Sequence, residues 1–239
     1  MIFTVWGASG AGKTAVSVQL ANALAKKGLF VGLISSSLEY SELPALMNQW
    51  VYPKHGLYMA LQDGNARDHF WKCPISPNIF ILTAPTGYAG YDWEDISQDA
   101  AETLLEQAAS HFDIVLVDGH ELLSNPISSV SLVKSQGIIT LHRPSPKAEA
   151  WHLSREDTRK HLKLDVRTVH IENTRGENAD TSAYWHGISL KPWLTVPFIE
   201  GADLSFKPQT GKAAKDIDKF LSSLMGWMDS KGKEVRPNG

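Results

Sequence analysis

Eight residues near the start of the chain constrain its fold more than any other stretch. Gly7-Ala8-Ser9-Gly10-Ala11-Gly12-Lys13-Thr14 is a complete G-x-x-x-x-G-K-[ST] phosphate-binding loop. Its glycines let the backbone curl until N–H groups point inward at phosphate oxygens. Lys13 supplies a point charge for the β- and γ-phosphates, and Thr14 offers a hydroxyl to Mg²⁺. Gly7, Ser9, Gly10, Ala11, Gly12 and Ala15 complete the candidate cradle. The flanks agree with this reading. Ile2 to Trp6 is a short apolar, β-rich run, and Thr14 to Lys27 is alanine-rich and helix-forming, with Val16, Leu20, Ala23 and Leu24 on one face. Strand, glycine loop and helix in that order place phosphates on a helix N-terminus. Residues 10–15 also satisfy G-x-G-x-x-[GA], the dinucleotide fingerprint. That fingerprint needs an acid at the end of the next strand, where this chain has Ser35-Ser36-Ser37. A glycine turn that binds nothing leaves Lys13 and Thr14 at their offsets without a reason.

A second acid near Mg²⁺, at the end of another strand, is the usual companion of such a loop. Phe112-Asp113-Ile114-Val115-Leu116-Val117-Asp118-Gly119 supplies one: four apolar residues lead into Asp118. Asp118 is therefore the expected metal acid alongside Thr14, and Lys13 and Asp118 are the expected catalytic pair. The other reading of Asp118 is a cap on the next helix. Gly119 would let the backbone approach a γ-phosphate as a switch.

The rest of the chain alternates strand and helix patterns. Strands are expected at Phe30–Ile34, Asn78–Thr83, Asp113–Val117, Gly137–Leu141, Val166–Ile171 and Trp193–Pro197. Helices are expected from Ser41 with Pro44 in the first turn, at Leu57–Leu61, Asp95–Ser110, around Val130–Val133, at Lys147–Leu162 and at Lys212–Met228. The stretch from Thr174 to Ser182 reads as a polar loop. This alternation predicts an α/β fold, a mostly parallel sheet with helices on both faces.

The 239-residue length accommodates one large domain or two small ones. The reading is a single domain over residues 1–230 and a frayed, charged tail over 231–239. A net charge of −3 gives no general pull toward nucleic acid or anionic lipid. Cys73 is alone, which excludes an intramolecular disulfide, and no Cys/His zinc pattern occurs. No run approaches 18 apolar residues, so the expected setting is cytoplasmic, peripheral at a membrane at most. Of eight tryptophans, Trp50, Trp71, Trp93 and Trp185 fall in connecting segments. They either fill surface hollows or form a partner surface.

In the order of these pieces the chain resembles the MinD/ParA group of P-loop NTPases. The resemblance runs over most of the chain. Residues 56–64 are similar to a GL…L..G segment, residues 78–85 to an NLYLLPAP strand, and Phe112 to Asp118 to a YDxVIIDxPP strand. Pro144-Ser145 resembles a TPS-type turn, Glu172-Asn173-Thr174-Arg175 an adenine-reading NR turn, and Val196-Pro197-Phe198 an IPYD segment beside the base. Within the group, the pilus-positioning (TadZ/CpaE-like) branch is the nearest in pattern, with partition and conjugation branches open. The resemblance implies ATP and Mg²⁺ as cofactors, Asn173 and Pro197 at the base, a homodimer, and a protein partner in a larger assembly. An Asn amide can donate and accept on adenine's edges, and no guanine-reading N-K-x-D occurs. Asn173 capping a turn is the competing reading.

Three departures bear on mechanism. The family's loop carries a lysine at its second position that reaches across a dimer; here it is Ala8. The family's DxDP acids after the second strand are replaced by Ser35-Ser36-Ser37, and the Pro-Pro after its metal aspartate is replaced by His120-Glu121. Serine is a poor base at neutral pH, and general-base help is worth roughly 10²–10⁴-fold. The expectation is intact binding with slow hydrolysis, Glu39 or Glu121 being substitute carboxylates. The alternatives are a P-loop kinase or ligase acting on a small molecule and a hydrolysis-dead, ATP-bound scaffold. The closing helix, with Ile217, Phe220, Leu221, Leu224, Trp227 and Met228 on one side, suits core packing or a membrane surface. The cluster Arg155, Arg159, Lys160 and Lys163 suits a solvated face or weak contact with DNA phosphate. His142 and His152 are expected as surface histidines without a particular partner.

Overall fold

The computed structural model describes residues 1–46, 50–52, 54–74, 76–87, 96–174, 180–197 and 211–234. Trp93, Asp95, Arg175 and Phe198, named above, lie outside them. Among the described residues, eight strands form one sheet in the order β3-β4-β2-β5-β1-β6-β7-β8. These are β1 (Ile2–Gly7), β2 (Val31–Ser35), β3 (Trp71–Lys72), β4 (Ile79–Leu82), β5 (Ile114–Asp118), β6 (Gly137–His142), β7 (Thr168–Glu172) and β8 (Leu194–Thr195). Every pairing is parallel except β3 with β4. The helices are α1 (Lys13–Lys26), α2 (Leu43–Leu46), α3 (Leu57–Asp63), α4 (Gln98–His111), α5 (Pro126–Lys134), α6 (Pro146–Leu153), α7 (Glu156–His161), α8 (Ser182–Gly187) and α9 (Gly211–Glu234).

Strand alternation explains how one sheet serves two cores. Phe3 and Val5, Val31 and Leu33, and Ile114 and Leu116 point to one face, where they meet Val16, Leu20 and Leu24 of α1 and Phe220, Leu221, Leu224, Met225 and Met228 of α9. Ile2, Ile34, Val115 and Val117 point to the other, against Leu57 and Ala60 of α3 and Ala101, Leu104 and Leu105 of α4. With both faces covered, strands read as continuous apolar runs, as β5 does. β1 lies between β5 and β6. The chain leaves β1 through α1 toward one edge and later crosses from β5 through α5 to the other side of β1. The carboxyl end of β1 is thus a topological switch point, where open sheets of this kind bind ligands.

Several expected boundaries shift for local reasons. The helix expected over 147–162 is two helices. Ser154 and Arg155 interrupt it, and the Ser154 hydroxyl donates to the Trp151 carbonyl at 2.8 Å instead of supporting a continuing turn. Val166 belongs to a short 3₁₀ turn before β7, not to the strand. α9 runs to Glu234, so the first residues of the expected tail are helical. β3 and α8 stand where connecting segments were expected.

Candidate nucleotide site

The loops after β1, β2, β5, β6, β7 and β8 all open at the same edge of the sheet. Together they line a cleft of about 970 Å³, at the upper end of the roughly 300–1,000 Å³ typical of small-molecule sites. Ser9, Gly10, Gly12, Lys13, Thr14, Ala15, Asp118, Asn173 and Pro197 line it. Gly7 and Ala11 do not: they sit behind the wall as its support. A Cβ on Gly7 would collide with the Leu141 carbonyl of the neighbouring strand. Gly12 has φ +89° and caps α1, and a Cβ there would strike the Asn173 amide. Only glycine fits that backbone.

The two residues expected to hold the metal, Thr14 and Asp118, come together from separate motifs. Thr14 Oγ1 donates to Asp118 Oδ2 at 2.8 Å. The Asp118 carboxyl is buried, its Oδ1 has no hydrogen-bond partner, and burial pushes its pKa up to about 6 against the pull of the Thr14 hydrogen bond and of Lys13. Lys13 Nζ donates to the Ala8 carbonyl at 3.0 Å. Burial draws the Lys13 ammonium below its ordinary value, while Asp118, Glu121 and Glu42 pull it back. Among the described residues, no three His, Cys, Asp or Glu side chains are placed to hold a metal alone. That suits Mg²⁺, which usually takes one or two protein oxygens and completes its shell with phosphates and water. The Thr14 hydroxyl and the Asp118 carboxylate, one of whose oxygens is unpartnered, are donors of the kind such an ion takes.

Asn173 takes a position that neither sequence reading foresaw in full. Its Nδ2 donates to the Ala11 carbonyl at 2.8 Å, tying the turn after β7 to the phosphate loop. Its backbone N–H donates to the His142 carbonyl at 2.8 Å. The carbonyl oxygen and the second amide hydrogen remain as groups for a base, with Thr174, Val196 and Pro197 lining the cleft alongside. Ile217, Phe220 and Leu221 bring an apolar wall from α9.

Of Ser35, Ser36 and Ser37, which all line the cleft, Ser36 is held in a network of hydrogen bonds. Ser36 is fully buried; its hydroxyl donates to the Asp118 carbonyl at 2.8 Å and accepts from Ser128 Oγ at 2.9 Å, and its carbonyl accepts from Asn125 Nδ2 at 2.7 Å. Asn125 caps α5 through Ser128 N at 2.9 Å. This polar knot ties Ser36 to the end of β5 and to the start of α5. Gly119 N–H donates to the Val5 carbonyl at 2.8 Å, so it is bonded within the sheet. Glu39, Glu42 and Glu121 line the cleft.

Ala8 is buried at 4 % exposure, against Ala148 of α6 and Tyr184, Trp185 and Ile188 at α8. The small residue is thus a packing requirement of an apolar cluster. The expectation of surface histidines at 142 and 152 is overturned, and His142 has definite partners. Both are 1 % exposed. His142 Nδ1 bonds the Tyr184 hydroxyl at 2.7 Å and its Nε2 bonds His170 Nδ1 at 2.9 Å. The His152 ring lies tilted beside them, 5.4 Å from that of His142, with neither nitrogen partnered. Burial holds all three neutral, with His152 and His170 near pKa 4. Glu172 closes the cluster from β7, accepting from Thr181 at 2.7 Å and from the Trp185 indole. The signal available in sequence was His142 and His170 on apolar strand patterns; α8, read as connecting chain, hid the lid over them.

Elsewhere the larger surface readings narrow. The closing helix is docked, with Leu224 at 0 % and Met228 at 1 % exposure. Arg159 pairs with Asp165 at 2.8 Å and Lys160 with Glu156 at 2.5 Å, which dilutes the basic cluster. Trp185 and Cys73 are buried, while Trp50 is 57 % exposed. Among the described residues, no helix is long and apolar enough to cross a membrane.

An eight-stranded, mostly parallel sheet with a glycine phosphate loop at its switch point is the fold of the MinD/ParA P-loop ATPases. Solved structures of that kind overlay almost the whole chain. The septum site-determining protein MinD of Pyrococcus horikoshii, in complex with Mg-ADP, matches at a TM-score of 0.71 and 16% identity, covering 96% of this chain and 98% of that one. A ParA family ATPase of Chlorobium tepidum matches at 0.75 and 15%, covering 93% and 98%. In sequence, an ATP-binding protein of Methanocaldococcus jannaschii is 32% identical over 120 residues, 49% of this chain. That match spans 44% of the relative's length, so this chain is similar to less than half of it. No protein-family model matches.

Proposed function

We propose that this protein binds Mg-ATP and acts as a nucleotide-dependent switch that organises a larger assembly, hydrolysing ATP slowly. The observation that carries the reading is the 2.8 Å contact of Thr14 with Asp118 at the floor of the cleft, beside Lys13. The phosphate loop's N–H groups and Lys13 hold the phosphate tail; Thr14 and Asp118 hold Mg²⁺. Mg²⁺, when bound, supplies charge neutralisation to the phosphate oxygens. Asn173, Pro197 and the α9 wall hold the base. The ATP-binding relative and the Mg-ADP complex of the MinD neighbour support the choice of ligand.

Slow turnover follows from Ser36. The family pattern calls for an acid in this stretch, and here it holds a serine whose hydroxyl is committed to the Asp118 backbone. ATP would therefore persist, and the bound state would favour a homodimer and a protein partner. The pilus-positioning branch is the form of assembly the sequence most resembles. Titrating the wild-type chain and Lys13→Ala with Mg-ATP tests the site: the variant should lose at least about tenfold in affinity. Unchanged binding refutes it. Phosphate release should be slow, and ADP formation should be indifferent to a mixture of small acceptors; acceptor-dependent ADP formation without matching phosphate release would mark a kinase instead.

A further inference from the structure

We propose that Arg143 is a second phosphate-binding cation of the cleft, acting beside Lys13 on the polyphosphate tail. The inference rests on the nucleotide reading above and deepens it. β6 pairs with β1 in a register that sets Leu141 against Gly7. Arg143, the first residue past β6, is carried by that register to the mouth of the phosphate loop. Its Nη1 donates to the Gly10 carbonyl at 2.9 Å. Lys13 Nζ donates to the Ala8 carbonyl of the same loop at 3.0 Å. The loop's own carbonyls therefore steady both cations, one from each side.

The charges around the cleft make the pair distinctive. Its lining holds four acidic side chains, Glu39, Glu42, Asp118 and Glu121, and two basic ones, Lys13 and Arg143. Elsewhere Lys134, Arg159 and Lys160 sit in ion pairs. Among the described residues, neither Lys13 nor Arg143 makes one, despite four acids in the same wall. A guanidinium carries five N–H donors in a rigid fork that fits phosphate two bonds at a time. One N–H goes to Gly10. Gly10 itself has φ +74°, and a Cβ there would meet nothing within 4 Å, so the turn beneath the guanidinium is open toward the cleft. A half-buried, partly committed arginine over the open turn of a phosphate loop is suited to an anionic tail in a cleft otherwise acidic.

The competing role is a latch that merely holds the loop's shape. Binding of Mg-ATP, Mg-ADP and AMP to the full chain, to Arg143→Ala and to Arg143→Lys, with thermal melts of each ligand-free protein, separates the two. The proposal expects Arg143→Ala to weaken ATP by about tenfold or more, as loss of charge-assisted bonds does. AMP should stay within about twofold, and the melting temperature should be unchanged. Arg143→Lys should recover part of the ATP loss, since it keeps the charge without the fork. Equal losses for ATP and AMP, or ATP affinity within about twofold of wild type, overturn it. Should Arg143→Ala fail to fold, Arg143→Gln, which keeps an N–H donor for the Gly10 carbonyl without the charge, takes its place: an ATP affinity about tenfold lower or more supports the proposal, and wild-type affinity overturns it. A wild-type chain that binds no nucleotide sinks the underlying reading, and a wild-type chain that binds ATP indifferently to Arg143 sinks this inference alone.

Discussion

Asp118 holds one carboxylate oxygen on Thr14 and the other without a partner, in a buried setting that raises its pKa to about 6. A raised carboxyl pKa opposes folding once the unfolded chain ionises. Below pH 3.8 both states are protonated and the cost is absent; it grows as pH rises to about 6 and stays constant above. Replacing the carboxylate with an amide removes that cost together with the proposed metal ligand. Asp118→Asn should therefore raise ligand-free stability at pH 7 by about 1–3 kcal/mol, read by denaturant unfolding, while Mg²⁺ ceases to improve ATP binding. A destabilised Asp118→Asn protein that still responds to Mg²⁺ would contradict the assignment. This pair was legible in the sequence because Thr14 and Asp118 each sit at a fixed offset from an apolar strand. Ser36 was not. Its role depends on Asn125 and Ser128, brought to it by α5 across the sheet edge, and no local pattern reports such a contact.

At the scale of elements, the long parallel strands and α1, α4 and α9 were readable because burial imposes a period on them. Short pieces escaped. α8 spans six residues and β3 two, too few to show a period, and the break between α6 and α7 turns on one serine back-bonding to its own helix. Missing α8 had a consequence for Ala8. In sequence, alanine there is the absence of a family lysine; in the structure it is a contact with Ala148, Tyr184, Trp185 and Ile188. Restoring the lysine would force an ammonium into that cluster, at a cost of several kcal/mol unless it finds a way out. Ala8→Lys should lower the melting temperature by about 10 °C or more and leave ATP turnover no faster. A stable Ala8→Lys protein with accelerated phosphate release would show instead that α6 and α8 open to admit the side chain.

For the whole molecule, acid is the sharpest test of how the two sides of β1 are built. On the β6–β7 side, the buried His142 and His152 and the half-buried His170 share one cluster beside the phosphate loop, facing Tyr184, Glu172 and Arg159. Burial is the main cause that lowers their pKa values; repulsion from the neighbouring histidines and Arg159 adds to it at His142, and at His152 and His170 the repulsion is partly offset by Asp165. The unfolded chain takes up protons near the ordinary histidine value of 6.5, while the folded chain resists until about 4 for His152 and His170. The unfolded state then binds more protons, so stability falls as pH drops through that window, by about 1–2 kcal/mol per histidine at pH 5. Asp118 works in the opposite sense between 3.8 and about 6, but it is one group against three. Ligand-free protein should lose melting temperature steadily from pH 7 to pH 5. His152 is the place to intervene, because both its ring nitrogens are buried without partners, a standing cost of about 1–3 kcal/mol for such a group. His152→Leu should raise the melting temperature at pH 7 and flatten the acid limb; a variant with the wild-type pH slope would show that protons enter the fold elsewhere.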